Sequence, residues 1–389
     1  MRARFIDFPK YSCIIGRIWL TLAKSLESVV FIEKAANFSL KLLIFKDFCK
    51  YNLLIIKCLT IEFYFLSSTK SRNIYFDILK GIAIILVAYG HVLQTFNSNW
   101  ESSIIGKTIY AFHMPLFMLI SGYFFYPSVK KTDYNHFIKK RFIHLYLPSL
   151  MWGLFSCFLI GGSKLFSSQY IDFKYFINLT LTGAWYLTLL FILQIIGAMI
   201  ERFYAQYKYI AWSVIYLIIY IAPQLWMMRE LKYLTPFFII AIALRKYDWS
   251  KCSYKIGILF LLIFIVTMKV YTFEHSMYRM SDNIFTIDYH LSAFIRFIAG
   301  LSGSICVIWL ASYLQKIKNI TILIAKIGLI TLPIYVLHQK FLIINKILHI
   351  NTNNLIILTC FTAIDILLSV FIYKFLNKNK TLSLLLFGE

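Results

Sequence analysis

The recurrence of long apolar runs after residue 72 constrains this chain more than any other feature. From about Ile74 onward, runs of roughly 20 mostly apolar residues follow one another, and a helix needs about that length to cross a bilayer. Hydrophobic residues make up 60% of the 389 residues and charged residues 15%, which is more apolar surface than a soluble domain can bury. The apolar run 81–88 lacks the strict alternation of β-barrel strands. The sequence therefore predicts an all-α fold, a polytopic transmembrane helix bundle in a lipid bilayer.

Pro, Gly and charged residues divide the apolar part of the chain into about ten predicted spans. They lie near residues 74–96, 104–126, 146–166, 182–202, 208–224, 232–246, 255–272, 288–314, 320–344 and 354–376. These spans define one transmembrane domain over residues 72–376, followed by a tail over residues 377–389.

The net charge of +23 comes from Lys and Arg residues that lie mostly between the apolar runs. This distribution is the pattern of membrane topology, and it gives no reason to expect a nucleic-acid partner. If the start of the first span is cytoplasmic, the basic stretch Lys139, Lys140 and Arg141 falls in an inner loop. An even number of spans then places both termini in the cytoplasm and predicts a multi-pass protein of the bacterial plasma membrane.

The first 71 residues differ from the rest because Lys and Arg interrupt their short apolar runs. No apolar core followed by a small-residue cleavage site occurs near Met1, so a signal peptide is not indicated. Three interpretations stay open: an interfacial amphipathic region, an extra span ending near Leu66, or an extension created by a misassigned start codon. The third is favoured, because nothing before Arg72 has an evident role in the bundle.

The first predicted span carries three ionisable residues, Asp77, Lys80 and His91. Such groups are costly in hydrocarbon, so their presence in a span indicates function by default. Lys80 and His91 are eleven positions apart, which at about 100° per residue brings them within about 20° on one helix face. Asp77 lies about one turn before Lys80 and can pair with it. The alternative is that Asp77 and Lys80 are interfacial anchors and that His91 is a buried hydrogen-bonding residue.

The second predicted span places His113 near the depth of His91, provided that a short outer loop joins two antiparallel helices. Pro115 is predicted to kink or open the backbone beside it. Two imidazoles at similar depth could hold a proton-transfer site, since imidazole changes charge near neutral pH. They are too few for a metal site, which requires three or four ligands.

Two further features admit both a structural and a functional interpretation. The basic stretch at Lys140 and Arg141 either signals topology or binds the phosphates of a nucleotide-type donor, for which Arg offers bidentate geometry. Late in the chain, His338 lies in a span with Tyr335 a turn away, and one buried histidine by itself proves little.

The motifs in these segments resemble those of the acyltransferase family 3 membrane proteins, particularly the branch similar to fucose 4-O-acetylase. The first span matches the family pattern D-x-x-[R/K]-G-I-A-x-x-x-V-x-x-G-H at Asp77, Lys80, Gly81, Ile82, Ala83, Val87, Gly90 and His91. The second matches F-H-M-P-x-F-x-x-x-S-G-Y at Phe112, His113, Met114, Pro115, Phe117, Ser121, Gly122 and Tyr123. A basic stretch with Arg141 before Pro148, a W-[YF]-L element at Trp185, Tyr186 and Leu187, and a late Y-x-x-H at Tyr335 and His338 complete the resemblance.

The resemblance implies O-acyl transfer, usually of acetyl from acetyl-CoA as co-substrate, to a carbohydrate hydroxyl of a surface polysaccharide or its lipid-linked precursor. No tightly bound cofactor is implied. The expected catalytic residues are His91 as general base or acyl relay, His113 as assisting acid, Lys80 and Asp77. Lys80, Lys140 and Arg141 are expected to bind the CoA end, and Trp185, Tyr186, Tyr335 and His338 the substrate. Most family members have Arg where Lys80 stands, and Lys lacks the bidentate fork.

Two other classes of function fit the apolar composition. A transporter or flippase of a glycan or lipid-linked sugar would also combine many membrane helices with sparse intramembrane charges, although no internal repeat is visible. A non-catalytic membrane scaffold would explain the apolarity but not the set of Asp77, Lys80, His91 and His113.

Overall fold

The computed structural model describes residues 73–166, 177–178, 180–181, 183–276, 283–345 and 349–389. The predicted N-terminal extension over residues 1–71 lies outside them. Contacts divide the chain into two units. One comprises Met1–Lys70 with Lys346–His349 and consists almost wholly of residues outside the described ranges. The other comprises Ser71–Asn345 and Ile350–Glu389 and contains every helix named below.

The described residues form α-helices joined by short turns, and no strand occurs among them. The helices are α1 (Ile74–Phe96), α2 (Ile104–Lys130), α3 (Tyr134–Arg141), α4 (Leu147–Phe166), α5 (Trp185–Phe203), α6 (Lys208–Ile221), α7 (Met228–Leu244), α8 (Tyr254–Val270), α9 (Ile287–Leu314), α10 (Lys318–Leu329), α11 (Thr331–Phe341), α12 (Leu355–Leu376) and α13 (Lys380–Phe387). A π-helical turn, Phe142–Tyr146, joins α3 to α4.

Each of the ten predicted spans contains a helix, but only some of these helices meet both the length and the apolarity that a membrane crossing requires. Five pass by length and apolarity, namely α1, α2, α5, α9 and α12. The segments Thr321–Leu329 and Thr331–Phe341 form a sixth if a pair bent by 82° counts as one span. α6, α7 and α8 contain 14, 17 and 17 residues. The helical membrane bundle is therefore supported, with five or six candidate spans within the described ranges, and the number ten is not confirmed.

The first helix, α1, is the central element of the bundle, since α2, α9, α10, α11 and α12 all pack against it. Its closest neighbour is α10, and two glycines permit the approach. A Cβ atom on Gly81 would collide with the carbonyl oxygen of Ile324, and one on Gly328 would collide with that of Asp77. Small residues at such crossings let helix backbones come together in a membrane.

Side-chain contacts fix the directions of the long helices. Near the start of α1, Phe76 packs against Tyr123 and Phe124, late in α2, and Tyr75 donates to the carbonyl of Ile308, late in α9. Consequently α2 and α9 both run opposite to α1. We call the end of the bundle with these contacts the Lys80 end and the opposite one the His91 end.

We expect Gly81→Ala to destabilise the bundle by about 1–3 kcal/mol, because the added methyl group meets backbone atoms of α10 that cannot move independently. Thermal unfolding of the purified protein in detergent measures the effect. Gly90→Ala is the matched control in the same helix, because its Cβ would lie 3.3 Å from side-chain atoms of Ile109 and Tyr110 that can shift. Equal stability of both variants and the parent would contradict close packing of α1 on α10.

Candidate functional site

Three histidines that the sequence singled out gather at the His91 end. The rings of His91 on α1 and His338 on α11 have their centroids 5.2 Å apart. The ring of Tyr110 on α2 lies between the rings of His91 and His113. Its centroid is 6.4 Å from that of His91 and 5.1 Å from that of His113. The bend between α10 and α11 makes this possible, since it turns α11 away from the direction of α10. We call His91, His113 and His338 the imidazole cluster.

Two glutamines orient His91. Its Nδ1 lies 3.2 Å from Oε1 of Gln94, and the amide nitrogen of Gln339 lies 2.9 Å from its Nε2 and 3.3 Å from its Nδ1. A glutamine oxygen only accepts, so the contact with Gln94 places the proton on Nδ1 and leaves the lone pair on Nε2, the ring nitrogen nearer to the Gln339 donor. The Tyr110 hydroxyl also donates to Oε1 of Gln94, at 3.1 Å, which fixes that amide. His91 is therefore held as a neutral base with Nε2 as its basic nitrogen.

The other two imidazoles are oriented by their own helices. Nδ1 of His113 lies 2.7 Å from the carbonyl oxygen of Ile109, and Nδ1 of His338 lies 3.0 Å from that of Ile334. A carbonyl accepts only, so both rings also carry the proton on Nδ1. Nε2 of His338 is buried and has no hydrogen-bond partner within the described part of the chain. All three rings thus present Nε2 as the nitrogen with a lone pair.

Tyrosines join the imidazole cluster to the start of α5. The ring of Tyr335 lies 6.1 Å from that of His338 and 6.0 Å from that of Tyr186. The Tyr335 hydroxyl accepts from the backbone N–H of Tyr186 at 3.3 Å, which satisfies one of the free amides at the helix start. The Tyr186 hydroxyl lies 3.0 Å from Oγ of Ser121. Trp185 is half-buried beside Tyr186, with ring centroids 6.0 Å apart.

Pro115 affects α2 in a way that the sequence did not predict. The helix continues through it from Ile104 to Lys130. Proline has no N–H, so the carbonyl of Ala111, four residues earlier, loses its usual partner in the helix. The hydroxyl of Tyr233 on α7 donates to that carbonyl at 3.0 Å. A side chain from a neighbouring helix thereby replaces the missing backbone bond beside His113.

Asp77 and Lys80 lie at the opposite end of α1 from the imidazole cluster. Their charged atoms are 3.7 Å apart, and Lys80 Nζ lies 5.0 Å from the ring centre of Phe124. Eleven residues of helix place Lys80 about 16 Å from His91 along the axis. The helix face predicted to carry Asp77, Lys80 and His91 therefore holds an ion pair and an imidazole that do not touch each other.

Further cations surround the Lys80 end. Lys140 is exposed, whereas Arg141 is half-buried, with its guanidinium 4.9 Å from the ring centre of Phe137 and its Nε buried without a hydrogen-bond partner in the described ranges. The π-helical turn follows Arg141 directly, and such turns recur at functional sites. Arg245, which the sequence placed only in a basic loop, has its guanidinium 5.9 Å from the ring centre of Tyr123 and 5.7 Å from that of Tyr126.

Residue-by-residue reasoning missed Gln94, Gln339 and Tyr110. The spacing could have indicated Gln94, because a residue three positions after His91 shares its helix face. Gln339 follows His338 directly, but its role depends on the bend before α11, which no motif predicts.

A family model described as an acyltransferase domain matches residues 73–374. The protein called Nodulation protein NolL from Sinorhizobium fredii is 41% identical over 103 residues, which is 25% of this chain and 27% of that protein. Its namesake from Mesorhizobium japonicum is 39% identical over 103 residues, 25% of this chain and 26% of that protein. The match thus spans about a quarter of each relative. No solved structure matches the chain.

We expect Tyr233→Phe to destabilise the protein by about 1–3 kcal/mol, because the buried carbonyl of Ala111 loses its only side-chain donor in the described ranges. Thermal unfolding measures the change. In a Pro115→Ala background the same substitution should cost less, because the new residue at position 115 supplies a backbone N–H to that carbonyl. An equal cost in both backgrounds would show that the Tyr233 hydroxyl does not replace the bond that Pro115 removes.

Proposed function

The chain belongs to the acyltransferase domain family, as its motifs predicted, and from that membership we infer that it is a membrane-bound O-acyltransferase. We propose that it moves an acetyl group from acetyl-CoA to a hydroxyl of a cell-surface polysaccharide or its lipid-linked precursor. The observation that carries the proposal is the orientation of His91, an imidazole whose Nδ1 is held by Gln94 and whose Nε2 faces the exposed amide of Gln339.

In the proposed mechanism, His91 is the general base. Its Nε2 removes the proton of the acceptor hydroxyl while that oxygen attacks the thioester carbonyl. The new C–O bond forms, the C–S bond breaks, and the thiolate of CoA leaves with a proton from the imidazolium of His91 or through His113. Gln94 and Tyr110 act as positioning residues, because they hold Nδ1–H and so keep the base on Nε2.

Gln339 occupies the position that an acceptor hydroxyl would need. Its amide nitrogen donates to Nε2 of His91, yet its side chain is exposed and free to rotate away. Tyr186 and Tyr335 border the same cluster and, with Trp185, offer aromatic faces and hydroxyls of the kind that bind sugars. We propose that these residues receive the carbohydrate once Gln339 is displaced.

The cations at the Lys80 end are proposed to bind the donor. Acetyl-CoA carries its phosphates and its thioester at opposite ends of a long flexible arm, which agrees with cations about 16 Å from the imidazole. Lys80, Lys140 and Arg141 would pair with the phosphates, and we add Arg245 to this set. The Lys80 end is then the cytoplasmic face of the plasma membrane, in agreement with the positive-inside rule.

One feature favours a second candidate, a transporter of a glycan or lipid-linked sugar. Helices broken near the middle of the membrane form substrate sites in many transporters, and α10 and α11 are bent by 82°. Consumption of the donor separates the two functions, because a transporter leaves acetyl-CoA intact.

We expect purified protein to release free CoA and label a de-acetylated surface polysaccharide when given radiolabelled acetyl-CoA. His91→Ala should lower kcat by about 10²–10⁴-fold, the usual contribution of a general base. His136→Ala is the matched control, since His136 is exposed on α3. Full activity of His91→Ala at equal protein abundance would refute the assignment of the base.

Substitutions of the two glutamines should affect different kinetic constants, kcat for Gln94 and the KM of the acceptor for Gln339. Gln94→Leu removes the acceptor of Nδ1–H, lets the ring turn, and should lower kcat by up to about 100-fold. Gln339→Ala removes a group that competes with the acceptor and should leave kcat near the parent value while lowering KM for the acceptor. Steady-state kinetics with varied acceptor distinguish the two. Equal losses of kcat in both variants would be inconsistent with these separate roles.

A further inference from the structure

The short helix α13 has no role in the reaction as proposed above, yet it lies close to the basic stretch. α12 runs opposite to α1, since Phe361 early in α12 stacks on Phe96 at the end of α1, with ring centroids 4.4 Å apart. α13 follows α12 after a short turn and therefore lies at the Lys80 end. The π-helical turn lies at the same end, because α3 and this turn follow α2 directly in the chain.

Caps at both ends make α13 a defined helix although it has only 8 residues. At its start, the side chain of Asn379 accepts from two backbone N–H groups of the first turn, at 2.9 and 3.2 Å. At its end, Gly388 takes the left-handed conformation, with φ of 72°, and its N–H donates to the carbonyl of Leu384 at 3.0 Å. Ser383 and Phe387, one turn apart, are buried. The helix thus has one face that packs on the bundle.

The last turn of α13 is fixed between α4 and α12. The indole N–H of Trp152, on α4, donates to the carbonyl of Leu386 at 2.9 Å. Phe387 is 1% exposed, and its ring centroid lies 6.5 Å from that of Trp152. The hydroxyl of Tyr373, on α12, donates to the carboxylate of Glu389 at 2.5 Å. These contacts bring the end of α13 against the start of α4.

The same end of α13 touches the π-helical turn. A Cβ atom on Gly388 would lie 2.6 Å from the carbonyl oxygen of Ile143, a backbone atom that cannot move independently, so glycine is required for this approach. On the other side of the turn, the ring of Tyr146 stacks on that of Phe191 on α5, with centroids 5.2 Å apart. The turn is therefore enclosed by α13 and α5.

The π-helical turn determines the direction of Arg141. Arg141 directly precedes the turn, and within it the N–H of Leu147 donates to the carbonyl of Phe142, five residues earlier. This hydrogen-bond pattern is rare, which indicates that packing from outside maintains it. If the turn relaxed to the α-helical pattern, α3 would rotate about its axis relative to α4 and carry the guanidinium of Arg141 with it. Contacts that hold the turn therefore also hold Arg141.

We propose that α13 positions Arg141 for the phosphates of the acyl donor by docking on the π-helical turn, a role that rests on the proposed function. A guanidinium pairs with a phosphate through two parallel N–H groups, so its direction matters more than that of an ammonium. Trp152, Phe387 and Gly388 are then positioning residues, which act on the donor through Arg141.

The test compares Gly388→Val and Trp152→Phe with the parent, as purified full-length proteins in detergent. Both variants should raise the KM for acetyl-CoA by about tenfold or more, as expected when a hydrogen-bonded contact to a charged group is lost. The kcat and the KM for the acceptor should stay near the parent values, because the phosphates are bound alike before and during the reaction. Leu382→Ala is the matched control, since Leu382 lies on the exposed side of α13.

The parent and the variants together separate this role from the function on which it rests. Unchanged KM for acetyl-CoA in both variants, with a parent that consumes acetyl-CoA, would overturn the positioning role and leave the proposed function intact. A parent that consumes no acetyl-CoA would overturn the proposed function, and the positioning role with it. Hydrogen exchange of the backbone amides over residues 138–148 checks the structural step, and we expect faster exchange in Gly388→Val.

A double-mutant cycle distinguishes positioning of Arg141 from a general effect on folding. In an Arg141→Met background, Gly388→Val should raise the KM for acetyl-CoA no further, because the group that α13 positions is already absent. An increase by the same factor in both backgrounds would overturn the positioning role. If Gly388→Val cannot be purified, Trp152→Phe, which removes only the bond to Leu386, takes its place in the cycle.

Discussion

The need to pair every polar group inside hydrocarbon determines how this bundle is built. Hydroxyls on its helices repeatedly donate to the carbonyl four residues earlier, as Thr95 does to His91, Ser302 to Ile298 and Thr362 to Leu358. The buried histidines do the same through Nδ1. Where proline removes a backbone donor, a tyrosine from the next helix supplies one. Against this background, a few buried atoms without a hydrogen-bond partner in the described ranges stand out, among them Nε2 of His338 and Nε of Arg296.

Much of the architecture could be predicted from hydropathy and from the Pro, Gly and charged residues that divide the apolar runs. α1 and α2 begin at the predicted residues, because Asn73 and Ser103 cap them and apolar runs continue from there. The family resemblance is confirmed over residues 73–374. The predicted number of crossings is not confirmed, because α6 and α7 contain 14 and 17 residues, fewer than the roughly 20 that a span needs.

The site was harder to predict than the fold, for two physical reasons. Helical periodicity relates residues along one helix, so it placed His91 and Lys80 on one face but could not pair His91 with His338. That contact depends on the 82° bend after Leu329, where the chain has no glycine or proline at the break itself.

The long sequence separation between α1 and α11 has a consequence for biogenesis. The bond between Gln339 and His91 joins residues 248 positions apart, so its two halves leave the ribosome far apart in time. During that interval α1 is in the bilayer with its imidazole already present and its partner not yet made. α10, which packs closely on α1 through Gly81 and Gly328, arrives immediately before α11. The order of synthesis therefore delivers α10 before α11, and the imidazole cluster can be complete only after α11 has been made.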